Sequence, residues 1–195
     1  MANNSTEQTY LKNFLMQFDE LSKEERESLA KELDVRTFAK GSVLLRQGEP
    51  CYHCYFVLSG CVRQYGVNED GQENTSFFFT EGHAVAQMSD SEMGQEALHF
   101  WEASQDSVLL VGDLRMESAF LQKYPPLADI IRKMLEKSFG KTRQDFAQFI
   151  SSSPIQRYES LKESRPELLE RVPQHQIASY LGITPESLSR LKRRL

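Results

Sequence analysis

Cations are missing from a long middle portion of this chain: no lysine or arginine lies between Arg63 and Arg115. Over all 195 residues, 23 basic side chains face 28 acidic ones, for a net charge of −5. Binding of a polyanion therefore cannot rest on overall charge and needs a local patch. Cysteine is scarce and odd in number, with Cys51, Cys54 and Cys61 alone. That count argues against a disulfide framework. The four histidines, His53, His83, His99 and His175, include no H-x-H pair of the kind that cages a metal on adjacent strands. No nucleophile–base arrangement can be read elsewhere. No catalytic residue, metal ligand or cofactor is therefore expected, and the chain is not expected to be an enzyme. No apolar run approaches membrane-spanning length. The start, MANNSTEQTY, is polar and has no apolar core of a signal peptide. A soluble, cytoplasmic protein with no membrane partner is expected.

What the chain does have is a compact signal at its end, from Pro173 to Leu195. Ile177 and Leu181 stand four apart and share a helical face, with Ala178 beside them. Gly182 supplies the residue that can turn sharply with a positive φ. Thr184 is a ready N-cap, and Pro185 suits the first helical position. Leu188 and Leu191 continue the apolar stripe. Ile177, Leu181, Ile183, Leu188 and Leu191 can thus form one small core between two short helices. Glu186, Ser187, Ser189, Arg190, Lys192, Arg193 and Arg194 are left pointing outward. Between Gln174 and Leu195, four cations meet a single acid. The pattern is a helix-turn-helix whose second helix presents a polar, mostly basic face to the major groove of DNA. An ordinary helical hairpin with a solvated face would also tolerate basic residues in its last turn. It would not need the Glu and Ser groups interleaved with them.

The run Glu186-Ser187-Leu188-Ser189-Arg190 resembles the E-x-x-S-R recognition-helix signature of the Crp/Fnr family of bacterial transcription regulators, in particular its fumarate-nitrate reductase regulator branch. KGSVLLRQGEPCYHCYFVLSGCVRQY is similar to the start of that family's cyclic-nucleotide-binding β-roll, and the likeness spans most of Phe38 to Leu114. The resemblance implies an α+β architecture: a double-stranded β-helix or jelly roll, a long dimerisation helix, and a C-terminal helix-turn-helix. The expected domains are 1–124, a sensor roll with N-terminal helices; 125–150, the dimerisation helix; and 151–195, the DNA-binding domain. No β-wing is recognisable after the recognition helix.

The rest of the chain fits this division. Leu11, Phe14, Leu15 and Phe18 recur at helical spacing, and Ser22 with Glu25 makes a capping box for a second helix carrying Leu29 and Leu33. From Thr37 to Val111, short runs rich in β-branched and aromatic residues (VLLR, YFVL, CVRQY, TSFFF, LHFWEA, VLLV) alternate with glycine-bearing turns. Asp70-Gly71 is the clearest hairpin turn. After Tyr124-Pro125-Pro126, a helix is expected from Leu127 to Ile150. One stripe is Leu127, Ile130 and Met134; a second is Ile131, Leu135, Phe139 and Phe146, extended by Phe149 and Ile150. Two apolar faces ask for two packing partners. The resemblance names them as the roll and a two-fold mate, with Ile130 and Met134 expected between the mates. Ser151-Ser152-Ser153-Pro154 reads as a linker, and Ser153 with Gln156 caps a further helix to about Glu163.

Family members that bind cyclic AMP clamp its phosphate with an arginine. Burying a cyclic phosphate without a cation or several N–H donors is costly. Here the matching stretch holds Glu81, Asp90, Glu92, Glu96 and Glu102, Gly82 is followed by His83, and no cation is present. A net negative lining is expected, and a roll that does not take a cyclic nucleotide in the family's usual manner. The family's other device, an oxygen-sensing iron–sulfur cluster, usually needs four thiolates; this chain offers three, spaced C-x2-C-x6-C within the roll. Strand alternation puts Cys54 on one face with Phe56 and Leu58, as a small core residue.

The expected function is a homodimeric, sequence-specific DNA-binding transcription regulator, with an inverted-repeat operator, RNA polymerase as a partner and an unidentified small-molecule effector. The DNA-contacting residues would be Thr184, Glu186, Ser187, Ser189, Arg190, Lys192, Arg193 and Arg194. Two other readings compete: a redox or metal sensor of the same family using Cys51, Cys54 and Cys61, and a ligand-binding jelly-roll module that does not read DNA.

Overall fold

The computed structural model describes residues 5–87, 94–136 and 151–194. Two four-stranded antiparallel sheets face each other. The first joins β1 (Asp34–Phe38), β8 (Ser107–Asp113), β3 (His53–Ser59) and β6 (Ala84–Val85), in that order. The second joins β2 (Val43–Leu45), β7 (Phe100–Ala103), β4 (Val62–Val67) and β5 (Glu73–Phe79). This is the expected jelly roll. β1 starts three residues ahead of the sequence reading, because Val35 pairs with Leu110 and turns into a core. β6 is too short for periodicity to signal it.

Strand alternation sorts the side chains between the two faces of each sheet. Tyr55, Val57 and Leu109 from the first sheet meet Val62 and Trp101 from the second, with Val85 closing the gap. The outer face of the first sheet offers Val35, Val108, Leu58 and Leu110. It is covered by α1 (Ser5–Leu15) and by α2 (Lys23–Glu32). The capping box that starts α2 is complete: the Ser22 hydroxyl accepts from Glu25 N, and the Glu25 carboxylate accepts from Ser22 N at 2.8 Å.

A 3₁₀ turn (Leu114–Met116) and α3 (Glu117–Lys123) lead to α4, which begins at residue 125 and is described through 136. Its Leu127 and Ile130 are buried with Leu11, Leu15, Leu21 and Leu29, and Ile131 and Met134 pack against the same cluster. Lys133 donates to Glu20 at 2.7 Å and Lys123 to Glu32 at 2.7 Å, holding α3 and α4 to the N-terminal helices. The expectation that Ile130 and Met134 lie between two chains is thereby corrected: this stripe faces the chain's own α1 and α2. Phe139, Phe146, Phe149 and Ile150 lie outside the described residues.

The C-terminal part holds four helices: α5 (Pro154–Ser164), α6 (Pro166–Arg171), α7 (Gln174–Leu181) and α8 (Pro185–Arg194). α5 begins with the expected box, in which Ser153 Oγ accepts from Gln156 N and Gln156 Oε1 accepts from Ser153 N. α6 has no counterpart in the sequence reading.

The four helices do not stand apart from the roll. Tyr158, Leu161, Leu168, Val172, Ile177, Ala178, Leu181 and Leu188 share one buried cluster with Cys61 and Phe78 of the second sheet. β5 is an edge strand of that sheet, and an open edge invites unwanted pairing. Ser179 of α7 caps it: its hydroxyl accepts from Thr75 N at 2.9 Å and donates to Glu73 O at 2.7 Å. The order of layers is therefore α1, α2 and α4, the first sheet, the second sheet, and the C-terminal helices.

Candidate nucleic-acid interface

The expected small core between α7 and α8 forms. Ile177 and Leu181 are fully buried, Leu188 nearly so, and Ile183 and Leu191 pack against them. Gly182 turns the chain with φ +71°, a left-handed conformation that side chains other than glycine disfavour. Gly182 N donates to Ser179 O and Ile183 N to Ala178 O, which satisfies carbonyls at the end of α7. Thr184 Oγ1 then accepts from Ser187 N at 3.2 Å and donates to Ser187 Oγ at 3.2 Å. Both hydroxyls serve the helix start, and Ser187 is half-buried.

Glu186, Ser189, Arg190, Lys192 and Arg193 are exposed on α8. Arg194 closes the helix, and its side chain lies outside the described residues, as does Leu195. The Glu186 carboxyl is held below its ordinary value by its own backbone N–H and by the Thr184 hydroxyl, with the Arg190 charge one turn on adding to this. An ionised acceptor therefore stands one turn from the exposed Arg190 guanidinium on one helical face. Arg193 donates to Ser189 Oγ at 3.4 Å, and Lys192 donates to Gln174 Oε1. Gln174 is exposed at the start of α7 and also donates to Leu169 O at 3.3 Å. Gln174, Pro185, Leu188, Ser189, Lys192 and Arg193 line one shallow cleft between the helices. Gln174 was not singled out from the sequence; nothing local distinguishes it from its neighbours.

Tyr55, Val57, Val62, Val85, Trp101 and Leu109 form one buried cluster in the interior of the roll. Trp101 is almost fully buried, stands edge-on to Tyr55 at 6.3 Å, and donates its indole N–H to Gln64 Oε1 at 3.2 Å. The expectation of a net negative lining is corrected for Glu81, Glu96 and Glu102. Glu102 neighbours Trp101 in sequence and so points to the opposite, outer face of the sheet, where it accepts from Arg63 at 3.1 Å. Glu81 sits in the β5–β6 turn and faces the C-terminal helices, and Glu96 is exposed. Asp90 and Glu92 lie outside the described residues. Arg63 is 2% exposed on the outer face of β4. It pairs with Glu73 at 2.7 Å and lies over the Tyr65 ring at 4.0 Å. Its charge is spent on the outer face and does not serve the interior.

The cysteines do not converge. Cys51 belongs to the roll interior and Cys61 to the cluster under the C-terminal helices. Cys54 is half-buried, with its thiol near Gly112 O at 3.8 Å. Burial pushes the Cys61 thiol up to about 12 and the Cys54 thiol up to about 11. Both are neutral at physiological pH, and a thiol must ionise to ligate or react. Among the described residues, no three His, Cys, Asp or Glu side chains gather as a metal site. No described helix is long and apolar enough to cross a membrane.

Residues 35–124 match the family model for the cyclic nucleotide-binding domain. The anaerobic regulatory protein of Pasteurella multocida is 25% identical over 168 residues, covering 80% of this chain and 60% of that protein. The chain spans 60–67% of the length of the curated relatives it matches. Among solved structures, a CRP/FNR family transcriptional regulator from Thermus thermophilus superposes with a TM-score of 0.61 at 21% identity, over 83% of this chain and 85% of that one. The global regulator CLP of Xanthomonas campestris, described as c-di-GMP responsive, gives a TM-score of 0.68 at 17% identity, over 95% and 90%. At these identities the two structures show the shared fold.

Proposed function

We propose that this chain, whose residues 35–124 match the family model for the cyclic nucleotide-binding domain, is a Crp/Fnr-type regulator and acts as a homodimeric transcription regulator that reads an inverted repeat in double-stranded DNA. The observation that carries the reading is the face of α8. Its apolar side is anchored in a core, and Glu186, Ser189, Arg190, Lys192 and Arg193 project from the other side. Arg190 donates two hydrogen bonds to a guanine edge, Glu186 accepts from a cytosine amino group, and Ser189 contacts a neighbouring base. Lys192, Arg193 and Arg194 meet phosphates. Thr184 and Ser187 mainly start the helix. The expected half-site is similar to TTGA, and Pro185 removes the contact that an arginine makes there in catabolite-activator-like relatives. In the dimer the two α8 helices meet major grooves about 34 Å apart.

The roll serves as a sensor for a molecule other than a cyclic nucleotide held in the usual manner. Trp101 and Tyr55 belong to its buried core, and its nearest buried cation among the described residues, Arg63, is turned outward and paired.

A binding-site selection experiment tests the DNA reading. It should return a palindrome, and Arg190→Ala should cost about 1–3 kcal/mol on the preferred sequence while relaxing the choice at one guanine. Arg193→Ala should weaken all sequences alike and flatten the salt dependence by about one unit of slope. No palindrome, or an equal loss on every sequence with Arg190→Ala, overturns the recognition scheme.

A further inference from the structure

α6 is bolted to one end of the roll at both of its own ends. Arg165, at its N-terminal cap, donates to Phe78 O at 3.0 Å and to Thr80 Oγ1 at 3.1 Å. Arg171, its last residue, reaches three separate turns of the roll. It donates to Gly60 O in the β3–β4 turn at 3.0 Å. It forms a two-pronged pair with Glu81 in the β5–β6 turn, at 2.6 and 3.0 Å. It donates through Nε to Gln105 Oε1 in the β7–β8 turn at 3.2 Å. All three guanidinium nitrogens are used.

The receiving site is itself constrained. Glu81 Oε1 also accepts from Gly60 N at 2.8 Å. Gly60 has φ +110°, and a Cβ there would stand 2.3 Å from Ser107 Oγ and 2.6 Å from Ser107 Cα, so no side chain fits. Ser107 in turn accepts from Cys61 N at 3.1 Å and donates to Gln105 O at 2.8 Å. The three turns thus form one rigid seat for one guanidinium. Only Val172 and Pro173 separate Arg171 from the start of α7. The seat therefore sets the place of α7 and, through the shared core, of α8.

We infer that Arg171 is a positioning residue for DNA reading: seated on the three turns, it fixes the reading head on the roll and so sets the separation of the two recognition helices in the dimer. This rests on the DNA reading proposed above. A head tethered only at the linker before α5 could swing, and would accept half-sites at several separations. A seated head accepts one, because half-site spacing is a geometric consequence of where the two helices stand. Arg171 touches no base, so its loss should change the tolerated spacing and leave the preferred half-site intact.

Two measurements on the full chain test this, with Arg171→Gln and the milder Glu81→Gln. The first measures binding to operators with identical half-sites and spacers varied one base pair at a time. The wild type should favour one spacer, and both variants should discriminate between spacers less while keeping the same half-site sequence. The second needs no DNA. Cys61 is fully buried beneath the head, while Cys51 is buried in the roll interior. N-ethylmaleimide labelling mapped by mass spectrometry should rise about tenfold at Cys61 in Arg171→Gln, since a charge-assisted pair is lost, and stay unchanged at Cys51. Unchanged spacer discrimination with an unchanged Cys61 rate overturns the inference. So does a parallel rise at Cys51, which would mean that the whole chain has loosened. If the wild type selects no DNA, the DNA reading falls, and the Cys61 rate still decides whether Arg171 holds the head.

Discussion

Replacing Arg63 by methionine should cost about 3–5 kcal/mol, the range for breaking a buried ion pair from one side. The reason is what the substitution leaves behind. Arg63 is 2% exposed and bridges Glu73 at 2.7 Å and Glu102 at 3.1 Å. The Glu73 side chain is 44% exposed and can turn to water once its partner is gone. The Glu102 side chain is 17% exposed and lies under α7, where Gln176 Nε2 donates to it at 3.4 Å. Its charge stays buried, and the cost falls there. Methionine keeps most of the stem volume, so little of the loss comes from a cavity. The assay is urea unfolding with the slope held as a control, since a changed slope would mean a changed denatured or native ensemble. For a chain of this size the loss corresponds to about 6–20 °C in Tm. Adding Glu102→Gln should recover most of it, because a neutral amide is tolerated where an unpaired carboxylate is not. A double variant no more stable than Arg63→Met alone would refute the reasoning and assign the cost to lost packing over Tyr65.

Ile130→Ala should lower stability by about 2–5 kcal/mol, as a large-to-small change in a packed cluster does. It should show as a lower urea midpoint at every protein concentration, not as dissociation on dilution. The Cys61 thiol gives a pH dependence. Its value is raised by burial from 9.0 to about 12, so the neutral form is favoured in the folded chain. Its contribution is fully present below pH 9 and is lost as pH rises through about 12. The urea midpoint of Cys61→Ala should therefore fall less steeply over that window than that of the wild type. Calorimetry at pH 7.5 should detect no micromolar binding of cyclic AMP or cyclic GMP; a measurable heat at that affinity would overturn the reading of the roll interior.

The features legible in the sequence are those whose physics is local. A capping box needs residues three apart, and both of those expected, at Ser22 and Ser153, are present with their reciprocal bonds. The Gly182 turn and the Ile177, Leu181 and Leu188 core depend on one short stretch and came out as read. The strands VLLR to VLLV were marked by composition and bounded by turns. What escaped depends on distance along the chain. Arg171 meets partners 66, 90 and 111 residues away, and no pattern in PELLER announces them. α6 is six residues long, under two turns, too short to show a period. Glu102 departs from its expected place for a different reason. Glu102 adjoins Trp101, and alternation sends neighbours to opposite faces of a strand. Once the tryptophan is assigned to the interior, the glutamate belongs outside; that signal was available. The Ile130 stripe is a third case, since periodicity says that a face is buried but not by what.

The shared cluster of Cys61 and Phe78 with the C-terminal helices bears on how this chain can be re-engineered. Proteins of this architecture invite chimeras, in which one protein's roll is joined to another's C-terminal helices at the linker. Here such a graft would land on a sheet surface shaped for a different set of leucines, with Phe78, Cys61 and the outward Arg63 unmatched. Exchanging the outer side chains of β4 and β5 to suit a new head is the remedy. Those positions alternate with Val62 and Gln64, which face the roll interior and must be kept. The practical unit of exchange is thus the four helices together with the outward residues of two strands, Thr75 and Phe78 standing three apart across the bulge in β5, and no single cut in the chain delivers it.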